Sequence, residues 1–384
     1  MFSDFTDEEF QAIAANAESL VEDELTEQFL QRKKESLLLS DSLKRLDINP
    51  LSMRVHECGS WLQYRLYPDN LNDPRCQRLT GANFCGHVLC PCCAWRNSRK
   101  HKNQLVAIIN HLNNYRYLFL TLTVRNVYAD ELNSTVDMLL NAAWHRLINR
   151  KKIKNSFKGY FRSLEITHDI EPIITQAMYK CKKNYYDRIG LKAGDTNPTY
   201  NTYHPHIHAL LAVAPSYFDK YNKDYLNQKI IRDIWAKSLK ADYDPYVDIR
   251  AVYDDSTTNK RRKSDIDVTA AILEVGKYIS KSNDYIIRNA DKSINETQTD
   301  ETIKALCSCL ANRRKYSYGG IMQQAKKDLK LNNDNDLVHT ETHKNNCSSD
   351  YIQYSCSWIG KQKTNSGYVI NTEYISDYDE TEKY

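Results

Sequence analysis

The sequence predicts an α+β protein with a mainly antiparallel sheet and flanking helices, plus a small cysteine-rich module that binds zinc. Segments with the two-residue alternation of strands are separated by segments with helical periodicity, which is the order found in α+β proteins. Cysteines cluster between Cys58 and Cys93, and a His-x-His pair lies on a predicted strand at His206 and His208. With 384 residues, the chain has room for one large domain or two ordinary ones.

The composition fits a globular protein of the cytoplasm with no membrane partner. The net charge of +4 and the pI near 8.3 are too mild to identify a nucleic-acid binder. Lys and Arg nevertheless form four clusters, at 96–102, 150–154, 260–263 and 313–315. The acidic N-terminus has no signal-peptide pattern, and no apolar run reaches the length of a membrane span. In a reducing compartment, clustered cysteines bind metal more often than they form disulfides.

The N-terminal region, residues 1–50, is predicted to be helical. Thr6–Glu9 has a capping-box pattern, and a charged amphipathic segment runs from there to about Leu46. Pro50 is predicted to end this region.

Residues 51–105 form the cysteine-rich module. Cys85, Cys90 and Cys93 follow the spacing C-x4-C-x2-C, which suits one tetrahedral zinc ion, and Cys58 is the preferred fourth ligand. Three other residues compete for that fourth position: Cys76, Cys92 and His87. A group of buried free thiols is the alternative to a metal site.

Alternation predicts four strands within residues 106–330. They lie at 117–124, 161–167, from about 206 to 213, and at 246–253. Amphipathic helices are predicted at 130–150, 225–239 and 265–282, and the polar segment 169–203 is predicted to be an inserted loop. Residues 331–384 are polar and carry no motif, and the acidic tail from Asp377 is predicted to be disordered.

The direction of side chains on two of these strands predicts a second metal site. Because residues i and i+2 share a face, His206 and His208 point to one side of their strand, while Ile207 and Ala209 fill the other. Glu165 also points away from the apolar face of its strand. If the two strands are neighbours, the three side chains form a two-histidine, one-carboxylate site that suits Mg²⁺ or Mn²⁺. The alternative is a pair of surface histidines on a half-buried strand.

These motifs resemble, in order, those of the replication initiators of rolling-circle plasmids, a branch of the HUH endonucleases. Phe119–Thr123 is similar to the first motif, His204–Leu211 to the metal-binding second, and Glu274–Asp284 to the third, which carries a tyrosine nucleophile. The cysteine stretch that ends at Arg96 and the segment Arg313–Gly320 also resemble family segments. The resemblance covers roughly residues 55 to 330.

The resemblance implies an HUH-type fold, RRM- or ferredoxin-like, for residues 106–330. It implies a nickase in which His206 and His208 bind the divalent metal and Tyr278 attacks the DNA. The products would be a 5′-phosphotyrosine and a free 3′-OH that primes synthesis. The substrate would be the plasmid double-strand origin, single-stranded or extruded as a hairpin. The long insert between Glu165 and His204 departs from the family pattern.

Two further residues near Tyr278 acquire candidate roles from the same resemblance. Glu274 matches a glutamate that activates water for the terminating cleavage in one branch of the family, although it could be a salt-bridge partner of Lys277 or Lys281. Lys281 could orient the phosphate or be a solvated side chain. His204 is expected to support the metal ligands rather than to be one.

Other functions share parts of this pattern. A relaxase or transposase of the HUH class would use the same residues on a different DNA, and a zinc hydrolase would use the histidines without a covalent product. A zinc-module repressor that controls copy number would leave Glu165, His206, His208 and Tyr278 without a role. The sequence has no G-x-x-x-x-G-K-[ST] motif, so a host helicase and the host replication machinery are expected partners.

Overall fold

The computed structural model describes residues 25–66, 77–219, 221–252, 285–331, 351–359 and 367–375. These residues form two compact units. The first combines the described parts of 1–104, 286–303 and 332–384, and the second combines those of 105–285 and 304–331.

The helices and strands follow one another in an α+β order. The described helices are α1 (Leu25–Arg45), α2 (Asn49–Glu57), α3 (Pro91–His111), α4 (Ala129–Asp137), α5 (Trp144–Ile148), α6 (Lys151–Ser156), α7 (Gln176–Cys181), α8 (Lys183–Arg188), α9 (Gln228–Leu239), α10 (Glu296–Leu310) and α11 (Ile321–Asp328). The strands are β1 (Trp61–Leu66), β2 (Gln77–Ala82), β3 (Arg116–Thr123), β4 (Phe157–Asp169), β5 (Thr202–Val213), β6 (Val247–Ala251), β7 (Tyr316–Gly320), β8 (Tyr351–Ile359) and β9 (Gly367–Ile375). No helix in the described part of the chain has an apolar stretch that could cross a bilayer.

The first unit contains an antiparallel sheet with the strand order β2-β1-β8-β9. Helix α1 packs against α2, where the Ser40 hydroxyl lies 3.0 Å from the Ser52 carbonyl oxygen. Pro50 does not end the N-terminal helix, which is a correction to the sequence analysis. Helix α1 ends at Arg45, and Pro50 lies in the first turn of α2, where proline's missing N–H breaks no helical hydrogen bond.

The second unit is built on a five-stranded antiparallel sheet with the order β6-β3-β5-β4-β7. Its central strand β5 is buried along nearly its whole length. One face carries an apolar cluster in which α3 and α11 cover part of β3, β4 and β5, and its members include Ile108, Phe119, Phe161, Leu210 and Met322. Farther along the same face the side chains turn polar, and the candidate site lies there.

Several predicted elements are confirmed and others are corrected. The four predicted strands correspond to β3, β4, β5 and β6, and the helix predicted at 225–239 is α9. The helix predicted at 130–150 is interrupted by a π-helical turn at Met138–Ala143. The segment predicted to be an inserted loop contains the short helices α7 and α8, and the polar C-terminal region contains β8 and β9. The helix predicted at 265–282, the capping box at Thr6 and the acidic tail lie outside the described residues.

Candidate metal centres

Glu165, His206 and His208 converge on one face of the second unit's sheet. Strand β4 pairs with β5 so that Glu165 lies directly opposite His206. The Oε2 atom of Glu165 is 2.9 Å from Nε2 of His208 and 3.2 Å from Nε2 of His206. All three residues are buried, with 6%, 9% and 5% of their surfaces exposed for Glu165, His206 and His208, respectively. One ligand atom from each lies within 4.8 Å of the others, close enough to share one metal ion.

The remaining ring nitrogens of both histidines are held in a way that suits metal binding. Nδ1 of His206 lies 3.0 Å from the backbone oxygen of His204, and Nδ1 of His208 lies 3.1 Å from the Thr121 hydroxyl. An Nδ1–H that donates to these oxygens leaves the lone pair of Nε2 directed at Glu165. Metal-bound histidines in proteins are usually fixed by such a contact on the other nitrogen. Two imidazoles and one carboxylate are a donor set that can hold a divalent metal ion.

Electrostatics in this cluster favours the ionised form of Glu165, the form in which a carboxylate binds metal. Burial opposes ionisation of Glu165, but hydrogen bonds and charges from His206 and His208 outweigh it and lower the pKa of the carboxyl. Burial, followed by the charge of His206, lowers the pKa of His204 to about 4. His204 is absent from the group of three ligand atoms, and its ring centre lies 5.2 Å from that of His206. A supporting role for this residue remains a prediction.

Lys315 lies beside the cluster, which the sequence analysis did not predict. Its backbone oxygen accepts a hydrogen bond from the amide of Leu164, next to Glu165. Its ammonium lies 5.5 Å from the ring centre of Tyr316. Burial lowers the pKa of Lys315, and the carboxylate of Glu165 acts in the opposite direction. In the sequence this residue belongs only to a basic cluster, because nothing local shows that it precedes a strand beside β4.

The three residues that the resemblance associates with the third motif, Glu274, Tyr278 and Lys281, lie outside the described residues. Their roles remain predictions.

The four predicted cysteine ligands are brought together in the first unit. Cys58 Sγ lies 3.4 Å from Cys90 Sγ and 3.6 Å from Cys93 Sγ, and Cys85 Sγ lies 3.6 Å from Cys93 Sγ. Tetrahedral zinc with Zn–S bonds of about 2.3 Å requires sulfur atoms roughly 3.8 Å apart. The spacing therefore fits one zinc ion, and all four cysteines are buried.

Backbone amides also point at these sulfur atoms. The amide of Cys85 lies 3.4 Å from Cys58 Sγ, that of Gly86 lies 3.2 Å from Cys93 Sγ, and that of His87 lies 3.5 Å from Cys85 Sγ. Gly86 has a φ of +73°, a left-handed conformation that glycine adopts readily. Such donors stabilise thiolates, the form in which cysteine binds metal, and a cluster of neutral thiols would not require them.

The structure describes two of the three competitors for the fourth position. Cys92 is buried but does not belong to the group of four, and Nδ1 of His87 accepts a hydrogen bond from the amide of Leu89. Cys76 lies outside the described residues.

Lys33 supports the cysteine cluster and was not predicted from the sequence. This fully buried lysine donates hydrogen bonds to the backbone oxygens of His56 and Cys58 and to the Ser60 hydroxyl. Burial lowers its pKa, and the neighbouring cysteines act in the opposite direction. Its ammonium places a positive charge beside a site that would be negative with four thiolates. In sequence, Lys33 looks like any solvated lysine of a charged helix.

Comparison with known proteins identifies the family. Residues 76–369 match the family described as "Replication protein". The chain belongs to the replication protein family. The resemblance that the sequence motifs indicated is thereby confirmed.

Several relatives of this replication protein are named "Protein rep". The one from Streptococcus pneumoniae serotype 2 (strain D39 / NCTC 7466) is 34% identical over 80% of this chain and 82% of the relative. Those from Lactiplantibacillus plantarum and Bacillus amyloliquefaciens are 33% and 31% identical over 80% and 79% of this chain, and over 84% and 81% of the relatives. No solved structure matches the chain significantly.

Proposed function

We propose that this replication protein initiates rolling-circle replication of a plasmid by nicking its origin DNA. The observation that carries the proposal is the convergence of Glu165, His206 and His208 on one sheet face, in a chain of the replication protein family. A protein that only bound DNA would have no use for a buried carboxylate between two oriented imidazoles. The cost of burying these groups favours a site that binds metal. The fold expected for the second unit is the HUH type.

The divalent metal would be held by His206 and His208 through Nε2 and by Glu165 through its carboxylate. When bound, Mg²⁺ or Mn²⁺ supplies Lewis-acid polarisation of a phosphodiester oxygen. Thr121 and the backbone of His204 keep the two imidazoles oriented. The apolar cluster on the same face gives the three ligands a rigid support.

The nucleophile in this proposal is Tyr278. Its phenolic oxygen attacks the phosphorus, the bond from phosphorus to the 3′-oxygen breaks, and the departing oxygen takes up a proton as the 3′-OH forms. The phosphodiester energy is kept in the 5′-phosphotyrosine, so strand transfer needs no further energy source. Glu274 would activate water for termination. Lys281 and Lys315 would neutralise charge on the transferring phosphate.

Zinc would be bound by Cys58, Cys85, Cys90 and Cys93 and would have a structural role. Four protein ligands leave no open coordination position, which is typical of structural rather than catalytic zinc. DNA is the proposed substrate, and a host helicase would unwind the duplex.

The proposed activity can be tested on labelled single-stranded origin DNA incubated with the purified protein and Mn²⁺. A denaturing gel should show a DNA-linked protein band in the wild type. The band should be lost in Tyr278→Phe and in the double variant His206→Ala/His208→Ala. Tyr285→Phe is the matched control, because it removes a hydroxyl from a tyrosine in the neighbouring sequence.

The outcomes separate the candidate functions. Cleavage that survives Tyr278→Phe would exclude Tyr278 as the nucleophile. Specific DNA binding without any cleavage would favour a repressor. Cleavage without a covalent product would favour a hydrolase.

A further inference from the structure

The segment between β4 and β5, residues 170–201, is an ordered structure held at its base by one carboxylate. Asp169 accepts hydrogen bonds at Oδ1 from the Asn197 side-chain amide, at 3.0 Å, and at Oδ2 from the Thr199 hydroxyl, at 2.6 Å. Its backbone oxygen accepts from the amide of Asn201 at 2.7 Å. Tyr186 is buried inside the segment and anchors α8. These contacts hold the backbone of the insert in one conformation, so the positions of its exposed side chains are defined.

Positive charge is concentrated in one stretch of this insert, although Glu171 and Asp195 lower the net charge of residues 170–201 to +2. The stretch Gln176–Lys192 contains five cations and one acid, so its net charge of +4 equals the formal net charge of the whole protein. Lys183 forms an ion pair with Asp187. Four exposed cations of this stretch make no ion pair within the described part of the chain: Lys180, Lys182, Arg188 and Lys192. The first three lie on or directly beside α7 and α8. The charges of the rest of the protein cancel, so this stretch is a part of the protein that would attract a polyanion.

An aromatic side chain is exposed among these charges. Tyr185 has 39% of its surface exposed, and its ring packs edge-on against the buried Tyr186 with centres 5.3 Å apart. The Arg188 guanidinium lies 5.9 Å from the centre of the Tyr185 ring. Exposed rings beside cations are the arrangement on which unpaired bases stack while the cations contact phosphates.

The insert lies close to the Glu165 site. Strands β4 and β5 stay paired from Glu165–His206 to Asp169–Thr202, and four residues of a strand span about 13 Å. The base of the insert therefore lies within about 13 Å of the site.

We propose that the insert binds single-stranded DNA next to the nucleotide that is cut, with Lys180, Lys182 and Arg188 on phosphates and Tyr185 stacked on a base. This inference rests on the proposed nicking function, because it assigns a path to the substrate of that site. Single-stranded DNA fits better than a duplex, since the faces of paired bases are not accessible to Tyr185.

The test measures binding separately from cleavage. Fluorescence anisotropy of a labelled single-stranded dT20 oligonucleotide is recorded over a range of salt concentrations, with the full-length protein and without added divalent metal. The triple variant Lys180→Gln/Lys182→Gln/Arg188→Gln removes the three cations. The matched control, Lys151→Gln/Lys152→Gln/Lys154→Gln, makes the same charge change on exposed residues of α6 in the same unit.

The insert triple variant is expected to bind dT20 at least about tenfold more weakly, and its slope of log K against log salt should fall by about 2, as three lost phosphate contacts require. The α6 control should change affinity less than about twofold. Tyr185→Ala is expected to weaken binding about tenfold, while Tyr185→Phe should preserve it, because stacking needs the ring but not the hydroxyl.

Two results would overturn the inference. Equal losses in the insert and α6 variants would show a nonspecific effect of net charge, and an unchanged dT20 affinity in the insert variant would remove the contact altogether. A labelled 20-base-pair duplex is measured in parallel, and equal dependence on Tyr185 there would exclude stacking on an unpaired base. Failure of the nicking proposal would look different: dT20 binding would depend on the insert while origin DNA stayed uncut.

Discussion

The Thr121 hydroxyl contacts the ring nitrogen of His208 that faces away from Glu165. It lies 3.1 Å from Nδ1 of His208, while the similar hydroxyl of Thr123, two residues along the same strand face, donates to the Tyr246 backbone oxygen at 2.9 Å. Both threonines lie on the same strand, but the Thr121 hydroxyl contacts an imidazole whereas the Thr123 hydroxyl contacts a backbone oxygen.

We expect Thr121→Val to weaken Mn²⁺ binding about tenfold, because removing a contact that orients a ligand costs roughly 10- to 100-fold in metal affinity. Isothermal titration calorimetry with Mn²⁺ measures the change. Thr123→Val also removes one hydroxyl contact and should leave the Kd within about twofold. Equal effects in both variants would mean that Thr121 only contributes to stability.

Lys315 offers a second test at the scale of one residue. Its backbone oxygen contacts Leu164, next to Glu165, and in the proposed function its ammonium would neutralise charge on a phosphate bound at this site. We expect Lys315→Met to reduce the rate of origin cleavage by about 100-fold, the typical effect of losing one donor that stabilises a transition state. Single-turnover cleavage on a denaturing gel measures the rate. Lys315→Arg should retain most of it, and a fully active Lys315→Met variant would exclude the role.

Among the elements, β7 depends on close contact between a glycine and an aromatic ring. A Cβ atom at Gly319 would lie 2.2 Å from a ring carbon of Tyr160. The ring packs edge-on against Trp144 with centres 5.0 Å apart, so it has little room to move. Strand β7 pairs with β4 and is preceded by Lys315. Its position therefore affects the candidate site.

We predict that Gly319→Ala lowers the free energy of unfolding by about 1–3 kcal/mol, the usual cost of overpacking. Urea denaturation followed by circular dichroism measures this change. Gly367→Ala is the matched control, because a Cβ atom there would meet no heavy atom within 4 Å. A Gly319→Ala variant as stable as the Gly367→Ala control would show that the Tyr160 ring moves without cost.

The elements that could be predicted from sequence are those with a long and regular pattern. Strands β3, β4 and β5 alternate over many residues, and the i, i+2 rule predicts that Glu165 and the two histidines point away from the apolar faces of their strands. The pairing of β4 with β5, which brings the three side chains together, is a condition that the alternation does not supply. Helices α7 and α8 have only six residues each, too few for a helical period to appear. The surroundings of Lys33 and Lys315 come from tertiary packing, which local patterns do not encode.

At the scale of the whole molecule, the two candidate metal sites lie in different units. The four cysteines belong to the first unit, and the Glu165 site belongs to the second. Each unit has its own sheet. Zinc should therefore stabilise the first unit directly, by about 4 kcal/mol when its concentration is a thousandfold above the Kd.

We expect the purified protein to contain one zinc per chain by inductively coupled plasma mass spectrometry. Cys58→Ser should lose the metal, because three thiolates remain where zinc requires four ligands. Cys92→Ser should keep it, since this equally buried cysteine does not belong to the group of four. Zinc retained in Cys58→Ser but lost in Cys92→Ser would reverse the ligand assignment.

Removing the zinc with a chelator should have a local effect. Hydrogen exchange should accelerate in β1 and β2, which belong to the unit that holds the cysteines, while β3 and β5 stay protected. Loss of protection in all four strands would mean that the two units unfold together.

The hydrogen bonds that Asp169 accepts from Asn197 and Thr199 have an evolutionary consequence. These contacts close the insert at its base, so the register that sets Glu165 against His206 depends on Asn197 and Thr199 but not on what lies between residues 173 and 196. The entropic cost of closing a loop grows slowly with the length of the loop. The insert can therefore lengthen, shorten or be exchanged with little loss of stability. In evolution, the tip of the insert could then be exchanged as a unit. The protein would acquire a new DNA preference while the chemistry of the Glu165 site stayed unchanged.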